Sequence, residues 1–388
     1  MGSSSRVGHD RYARNMHRRI VICPDSFKGT CAAADVAAAI ARGWRSVRPG
    51  DDCIAAPMAD GGEGTIDAMA SANPAGKVVS LRVRGPVGEP VDAKLLRLPD
   101  DTWIVELAET SGIAYLREVT RATAASASTF GLGEAIRHAA ERGARRILVG
   151  LGSSASTDGG LGALVALSAR ALGADGGPVS PGNAGLHGLA TLDLSTCIPL
   201  PEVVALTDVE SPLLGPSGAA AVFGPQKGAL PEDVVAFDAG LGRLAAMVDA
   251  NPDAPGAGAA GGTGFGLLAL GACIRPGAVE IADVLGMPAR IRDADLVITG
   301  EGSFDTQSLA GKVPSIVFGL ADTAGVASVV IAGRVLPDAV ATRRSQAPLE
   351  AWSLTELAGG ADAAMADTPR WLEAAGARTG EWFSGVAG

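Results

Sequence analysis

The stretch from Arg146 to Leu164, RILVGLGSSASTDGGLGAL, holds residues whose types and spacing suit phosphate chemistry. An apolar strand ending at Val149 runs into Gly150, Gly152, Ser153, Ser154, Ser156 and Thr157, which leave backbone N–H groups and hydroxyls uncovered. A helix expected next turns its positive end to the same place, which favours an anion such as a nucleotide tail. Asp158 would repel a bare phosphate. An acid there makes chemical sense when a divalent cation intervenes, which points to Mg²⁺-assisted phosphoryl transfer. The same residue types also cap ordinary strand-to-helix turns, so one loop alone does not separate the two readings.

Repetition separates them. MADGGEGT at 58–65 carries Asp60 and Glu63 ahead of a helical stretch, and Asp208 follows the apolar run VVAL. FGPQKGA at 223–229 carries Lys227, and GAGAAGGTGFG at 256–266 is a further glycine-rich loop. ADLVITGEGSFDTQSLAGKVP at 294–314 reads as a strand that releases Glu301, Asp305 and Lys312 into a polar segment. A packed core needs none of these carboxylates, whereas a metal and nucleotide site needs acids at strand ends, glycines and isolated cations.

Only five of the 32 basic side chains are lysines, and Lys28, Lys227 and Lys312 sit in glycine-rich loops. A compact ammonium there suits phosphate or carboxylate contact. Lys77 and Lys94 read as solvated charges. The four histidines, His9, His17, His138 and His187, lie outside the loops, so neither a zinc cluster nor a histidine base is expected. Any general base is a carboxylate.

The elements that must hold these loops follow from hydrophobic periodicity. A strand at 20–23, a helix at 31–46 and a strand at 52–56 open the chain. Short alternating runs from Val78 to Leu107 read as antiparallel β. A helix at 130–142 and a strand at 146–150 resume the α/β order, followed by a loop-rich region at 173–200. A strand at 203–207 and a helix at 231–250 come next. After 290, strand-helix units return, ending in a helix at 360–383. The expected fold is α/β: a Rossmann-like parallel-sheet domain (18–60 plus 290–388) interrupted by a second α/β domain (61–289) containing antiparallel strands. The active site is expected in the cleft between them.

At 388 residues, 4% aromatic and rich in glycine (53 residues), the chain fits a soluble α/β enzyme rather than a disordered one. The net charge of −10 argues against a nucleic-acid partner. No apolar run reaches membrane-spanning length, so no membrane partner is expected. The five cysteines lack metal-site spacing and suit the cytoplasm. Residues 1–17, polar and basic without an apolar segment, read as a disordered extension, with Met16 a candidate start.

Neither a Walker A loop nor the protein-kinase signatures are present. GLGSSAS at 150–156 matches the phosphate-loop core of the galactokinase and homoserine kinase superfamily, but TDGG interrupts the helix that motif opens. Taken together, PDSFKGT at 24–30, ADGGEGT at 59–65, GSSASTDGG at 152–160, FGPQKGA, GAGAAGG at 256–262 and TGEGSFDTQSLAGKVP at 299–314 resemble the bacterial type I glycerate kinase family. The resemblance covers residues 18–385 in one order. It implies ATP-dependent phosphorylation of D-glycerate with Mg²⁺, at the 2-hydroxyl, to give 2-phosphoglycerate.

On this resemblance, Lys28 and Lys312 take the substrate carboxylate or the transferring phosphoryl group, with Asp60, Glu63 and Lys227 in substrate contact. Gly152, Ser153, Ser154, Ser156, Gly261, Gly262, Thr263 and Gly264 take the nucleotide phosphates. Asp158, Asp208, Glu301 and Asp305 are the Mg²⁺ candidates, and Asp158, Asp208 and Asp305 are also candidates for accepting the hydroxyl proton, with Asp60 and Glu63 next in line for both roles. Two departures stand out: Glu210 and Ser211 replace an expected neutral pair, and Ser303 and Phe304 stand where many relatives carry arginine. A kinase for another hydroxy acid such as a tetronate, 3-phosphorylation, and a catalytically silent sugar-acid sensor are the alternatives, and the oligomeric state is left open.

Overall fold

Residues 17–386 are described by the structure, a computed structural model. Apart from residue 17, the expected N-terminal extension lies outside them. Two compact units divide the chain, one holding residues 17–60, 67–72 and 278–386 and the other residues 61–66 and 73–277.

The first unit is built on five parallel strands: β1 (Arg19–Ile22), β2 (Asp52–Ala55), β11 (Leu296–Phe304), β12 (Ala327–Val335) and β13 (Leu349–Ser353). Their order is β13-β12-β11-β1-β2. Ile20, Val21 and Ile22 are all fully buried, as a parallel strand covered on both faces must be. Along β12, Val329 and Ile331 pack into one hydrophobic cluster and Val330 and Ala332 into another, so helices cover both faces. The helices Ala33–Val47 and Thr368–Val386 supply the first layer through Val36, Ile40, Trp44 and Leu372. They touch backbone to backbone, since a Cβ on Gly43 would stand 1.9 Å from the Glu373 carbonyl oxygen.

The second unit carries a six-stranded mixed sheet of order β10-β9-β6-β5-β4-β3. Here β10 (Cys273–Arg275), β9 (Glu202–Leu206), β6 (Arg146–Gly150) and β5 (Thr102–Glu106) run parallel. The strands β4 (Pro90–Arg97) and β3 (Lys77–Arg84) complete it antiparallel. Every residue of β5 is buried, because it lies inside the sheet between layers. This architecture is the expected α/β class, with one parallel sheet and one sheet containing antiparallel strands.

Several local expectations need correction. The loop-rich region 173–200 includes an antiparallel pair, β7 (Arg170–Gly173) with β8 (Leu189–Asp193). The helix after the serine-rich loop is only Leu161–Ala166. Glu301 is not released into a loop, because β11 continues to Phe304 by pairing with β12 after β1 has ended. The helix expected at 360–383 is two, Ala361–Ala366 and Thr368–Val386, preceded by a further short helix, Leu354–Ala358. Among the described residues, no helix is long and apolar enough to cross a membrane.

Candidate active site

In the first unit the strand order reverses between β1 and β11, since β1 leads outward to β2 and β11 outward to β12 and β13. Open parallel sheets bind ligands beyond the carboxyl ends of the strands at such a reversal. Asp25 stands there, its N–H donating to the Gly300 carbonyl at 2.8 Å and its Oδ1 accepting the Ser26 N–H at 2.6 Å. Burial and then the Asp60 charge push its carboxyl up to about 7, with a smaller push from Glu301, against the opposing Ser26 N–H and Lys28. Lys28 Nζ is 3.8 Å from Asp60 Oδ2, and its side chain is 80% exposed. Glu301 is 8% exposed, and burial raises its carboxyl while the Ser308 hydroxyl and Lys312 oppose the rise. Its Oε2 lies 3.9 Å from Lys312 Nζ, while Oε1 is buried without a hydrogen-bond partner.

Asp305 is occupied differently. Its Oδ1 accepts the N–H groups of Gln307 at 2.9 Å and Ser308 at 3.2 Å, capping the turn Thr306–Leu309. Phe304, at one departure from the family pattern, is a fully buried core residue edge-on to Phe318. Sequence reasoning quoted PDSFKGT but passed over Asp25. The signal was available, because Asp25 follows an apolar strand just as Asp208 does.

In the second unit the parallel strands β5, β6 and β9 deliver Glu106, Ser153 and Asp208 at their carboxyl ends. Glu106, also missed, is 2% exposed and accepts the N–H groups of Gly64 at 3.1 Å and of Ile66, which fastens the start of helix Thr65–Ala72. Glu63 is exposed, and its Oε2 accepts the Ser153 hydroxyl at 3.0 Å. Ser153 holds a left-handed backbone (φ 54°), uncommon for a residue other than glycine, asparagine or aspartate and shared here by Ser168 and Ala260. Asp208 is exposed, with Oδ1 accepting the Gly277 N–H at 3.1 Å.

The rest of the serine-rich loop turns inward. Ser154 and Ser156 are buried, and Ser154 Oγ accepts the Ser156 N–H at 3.1 Å. Asp158 is wholly buried. One of its oxygens accepts the Thr129 N–H (2.8 Å), the Thr129 hydroxyl (2.9 Å) and the Gly162 N–H (3.1 Å), and the other accepts the Gly160 N–H (3.1 Å). It therefore ties the starts of helices Phe130–Glu141 and Leu161–Ala166 together. Lys227 is 2% exposed and donates to the Ser156 carbonyl. Gly261, Gly262, Thr263 and Gly264 are also buried. A Cβ on Gly261 would stand 2.0 Å from the Ser156 carbonyl oxygen, so this glycine serves close backbone packing rather than phosphate approach. Thr263 donates its hydroxyl to the Ala260 carbonyl at 2.7 Å. At Gly152 a Cβ would meet Gly62 Cα at 2.7 Å, which seats the strand end against the 61–64 loop.

Residues 20–384 match the family model for the glycerate kinase family. The chain belongs to this family. The glycerate kinase of Bacillus subtilis (strain 168) is 40% identical over 330 residues, covering 82% of this chain and 86% of that one. The glycerate 2-kinase of Escherichia coli (strain K12) is 39% identical over 330 residues, with the same coverage. A crystal structure assigned to glycerate kinase 2 of Salmonella typhimurium LT2 superposes with a TM-score of 0.82 at 35% identity, covering 96% of this chain and 99% of that one.

Glycerate kinase family membership makes the chain a phosphotransferase with an alcohol acceptor. For a kinase of this family, the donor set must suit Mg²⁺ and phosphate. Among the described residues no three His, Cys, Asp or Glu side chains group to hold a metal. Asp158 and Asp305 are already engaged by backbone N–H groups. Mg²⁺ commonly uses one or two carboxylates and completes its shell with phosphate and water, and Asp208, exposed though its Oδ1 accepts the Gly277 N–H, suits that demand.

Lys227 in this family member carries a pH signature. Burial pushes it down from 10.5 to about 7, against the nearby Asp158 charge. Between those values the unfolded chain holds a proton that the folded chain has lost, so stability rises with pH across that window and levels off below about 7. Thermal unfolding from pH 7 to 10 should show this rise in the parent protein and a flatter profile in Lys227→Met. Equal profiles would remove the assignment.

Proposed function

We propose that this chain transfers the γ-phosphoryl group of ATP to the 2-hydroxyl of D-glycerate, giving 2-phosphoglycerate. The observation that carries the reading is the group at the β1/β11 reversal, where Asp25, Asp60 and Glu301 stand between Lys28 and Lys312. Two ammonium groups suit a substrate bearing a carboxylate and receiving a phosphoryl group, and carboxylates suit its hydroxyls. Lys28 and Lys312 bind and orient those anions. Ser153, exposed at the end of β6 beside Glu63, contacts the nucleotide phosphates. Asp208 would hold Mg²⁺, which when bound would neutralise charge on the phosphate oxygens. Lys227, Asp158 and the 261–264 segment shape the loop from beneath and touch neither substrate.

ADP release with ATP, Mg²⁺ and D-glycerate, with the product resolved by phosphorus NMR, tests the reading. Formation of 2-phosphoglycerate is expected. A 3-phosphoglycerate product would overturn the position of transfer, and folded protein without turnover would overturn the substrate.

A further inference from the structure

We propose that Asp25 is the catalytic base, accepting the proton of the substrate hydroxyl as that oxygen attacks the γ-phosphorus. This rests on the kinase reading above. The step balances: the new O–P bond forms, the hydroxyl proton passes to the Asp25 carboxylate, and the bond from the γ-phosphorus to the β,γ-bridging oxygen breaks. The electron pair leaves with ADP.

Position is the first argument. Asp25 is the first carboxylate beyond β1, at the reversal of strand order, and its N–H tie to Gly300 fixes the backbone that carries it. Engagement is the second. Asp305 Oδ1 caps a turn through two backbone N–H groups, and Glu301 is paired with Lys312, whereas Asp25, half-buried as Asp305 is, accepts only the adjacent Ser26 N–H. The third is independent of the carboxylates' number. Glu301 is more than nine-tenths buried and keeps Oε1 without a partner, a state it shares with buried side-chain atoms elsewhere such as Thr157 Oγ1 and Asn183 Oδ1. An oxygen left in that state beside Asp25 fits a site that receives a hydroxyl donor from a ligand. Proton affinity agrees with the geometry, because burial and the Asp60 and Glu301 charges lift Asp25 into the range where a carboxylate takes a proton near neutrality, and Ser26 and Lys28 limit the rise.

Asp25→Asn keeps the shape and an acceptor for the Ser26 N–H but cannot take the proton. The expected result is a kcat at least about 10²-fold lower, with KM for D-glycerate and for ATP little changed and D-glycerate binding retained by calorimetry. Asp25→Ala, used as the second variant, should be equally slow and regain part of its rate with added formate, which replaces the missing base. Either folded variant keeping kcat within about threefold of the parent would overturn the role of Asp25 alone. Absence of phosphoglycerate from the parent protein would instead bring down the kinase reading and this role together.

Discussion

Asp208→Asn lowers kcat by about 10²–10³-fold, the scale for removing one preorganised charged group, while the melting temperature stays close to that of the parent. Asp208 is exposed at the carboxyl end of β9, so no core contact is lost. Asparagine keeps an oxygen for the Gly277 N–H, which lies 3.1 Å from Asp208 Oδ1, and removes the charge. The expected signature is therefore electrostatic. Turnover measured against Mg²⁺ concentration should require more Mg²⁺ in the variant, because a neutral amide is a poorer ligand for a hard cation than a carboxylate. An unchanged Mg²⁺ curve at parental kcat would remove Asp208 from the site.

Asp158→Ala produces the largest loss of stability, about 3–5 kcal/mol, the scale for breaking a buried charged network. The variant leaves the Thr129, Gly160 and Gly162 N–H groups and the Thr129 hydroxyl without their acceptor, and leaves Lys227 without the neighbouring carboxylate. The melting temperature should fall by on the order of 10 °C. Asp158→Asn keeps one acceptor oxygen and should fall by clearly less. Activity is lost through the loop, so it should track unfolding and not Mg²⁺ concentration. An inactive Asp158→Ala protein with parental melting would restore a direct chemical role and sink the structural one.

These two aspartates look alike in the sequence, each in a polar loop after an apolar strand. Their difference lies in what surrounds the loop. After β9, Asp208 is exposed. After β6 it folds back beneath the buried segment 256–266, with Gly261 lying so close over the Ser156 carbonyl that no side chain fits between. Lys227 follows the same rule: its glycine-rich setting suggested a ligand contact, yet a 3-10 turn points it inward at Ser156. Glycine near polar residues signals close approach of backbone, and sequence alone does not say whether a phosphate or another strand makes that approach.

The sequence by itself determined the α/β class, the antiparallel strands and the family, because periodicity, residue type and motif order are written along the chain. Asp25 was equally legible by its place after an apolar strand and was passed over. Only the tertiary structure decided which polar loop residues are exposed and which are internal struts, and it gathered Asp25, Lys28, Asp60, Glu301 and Lys312 at one end of a sheet. The physical reason is that burial and electrostatic environment belong to the neighbours a residue meets in space, and Asp25 and Glu301, which act on each other's charge, stand 276 positions apart in the chain.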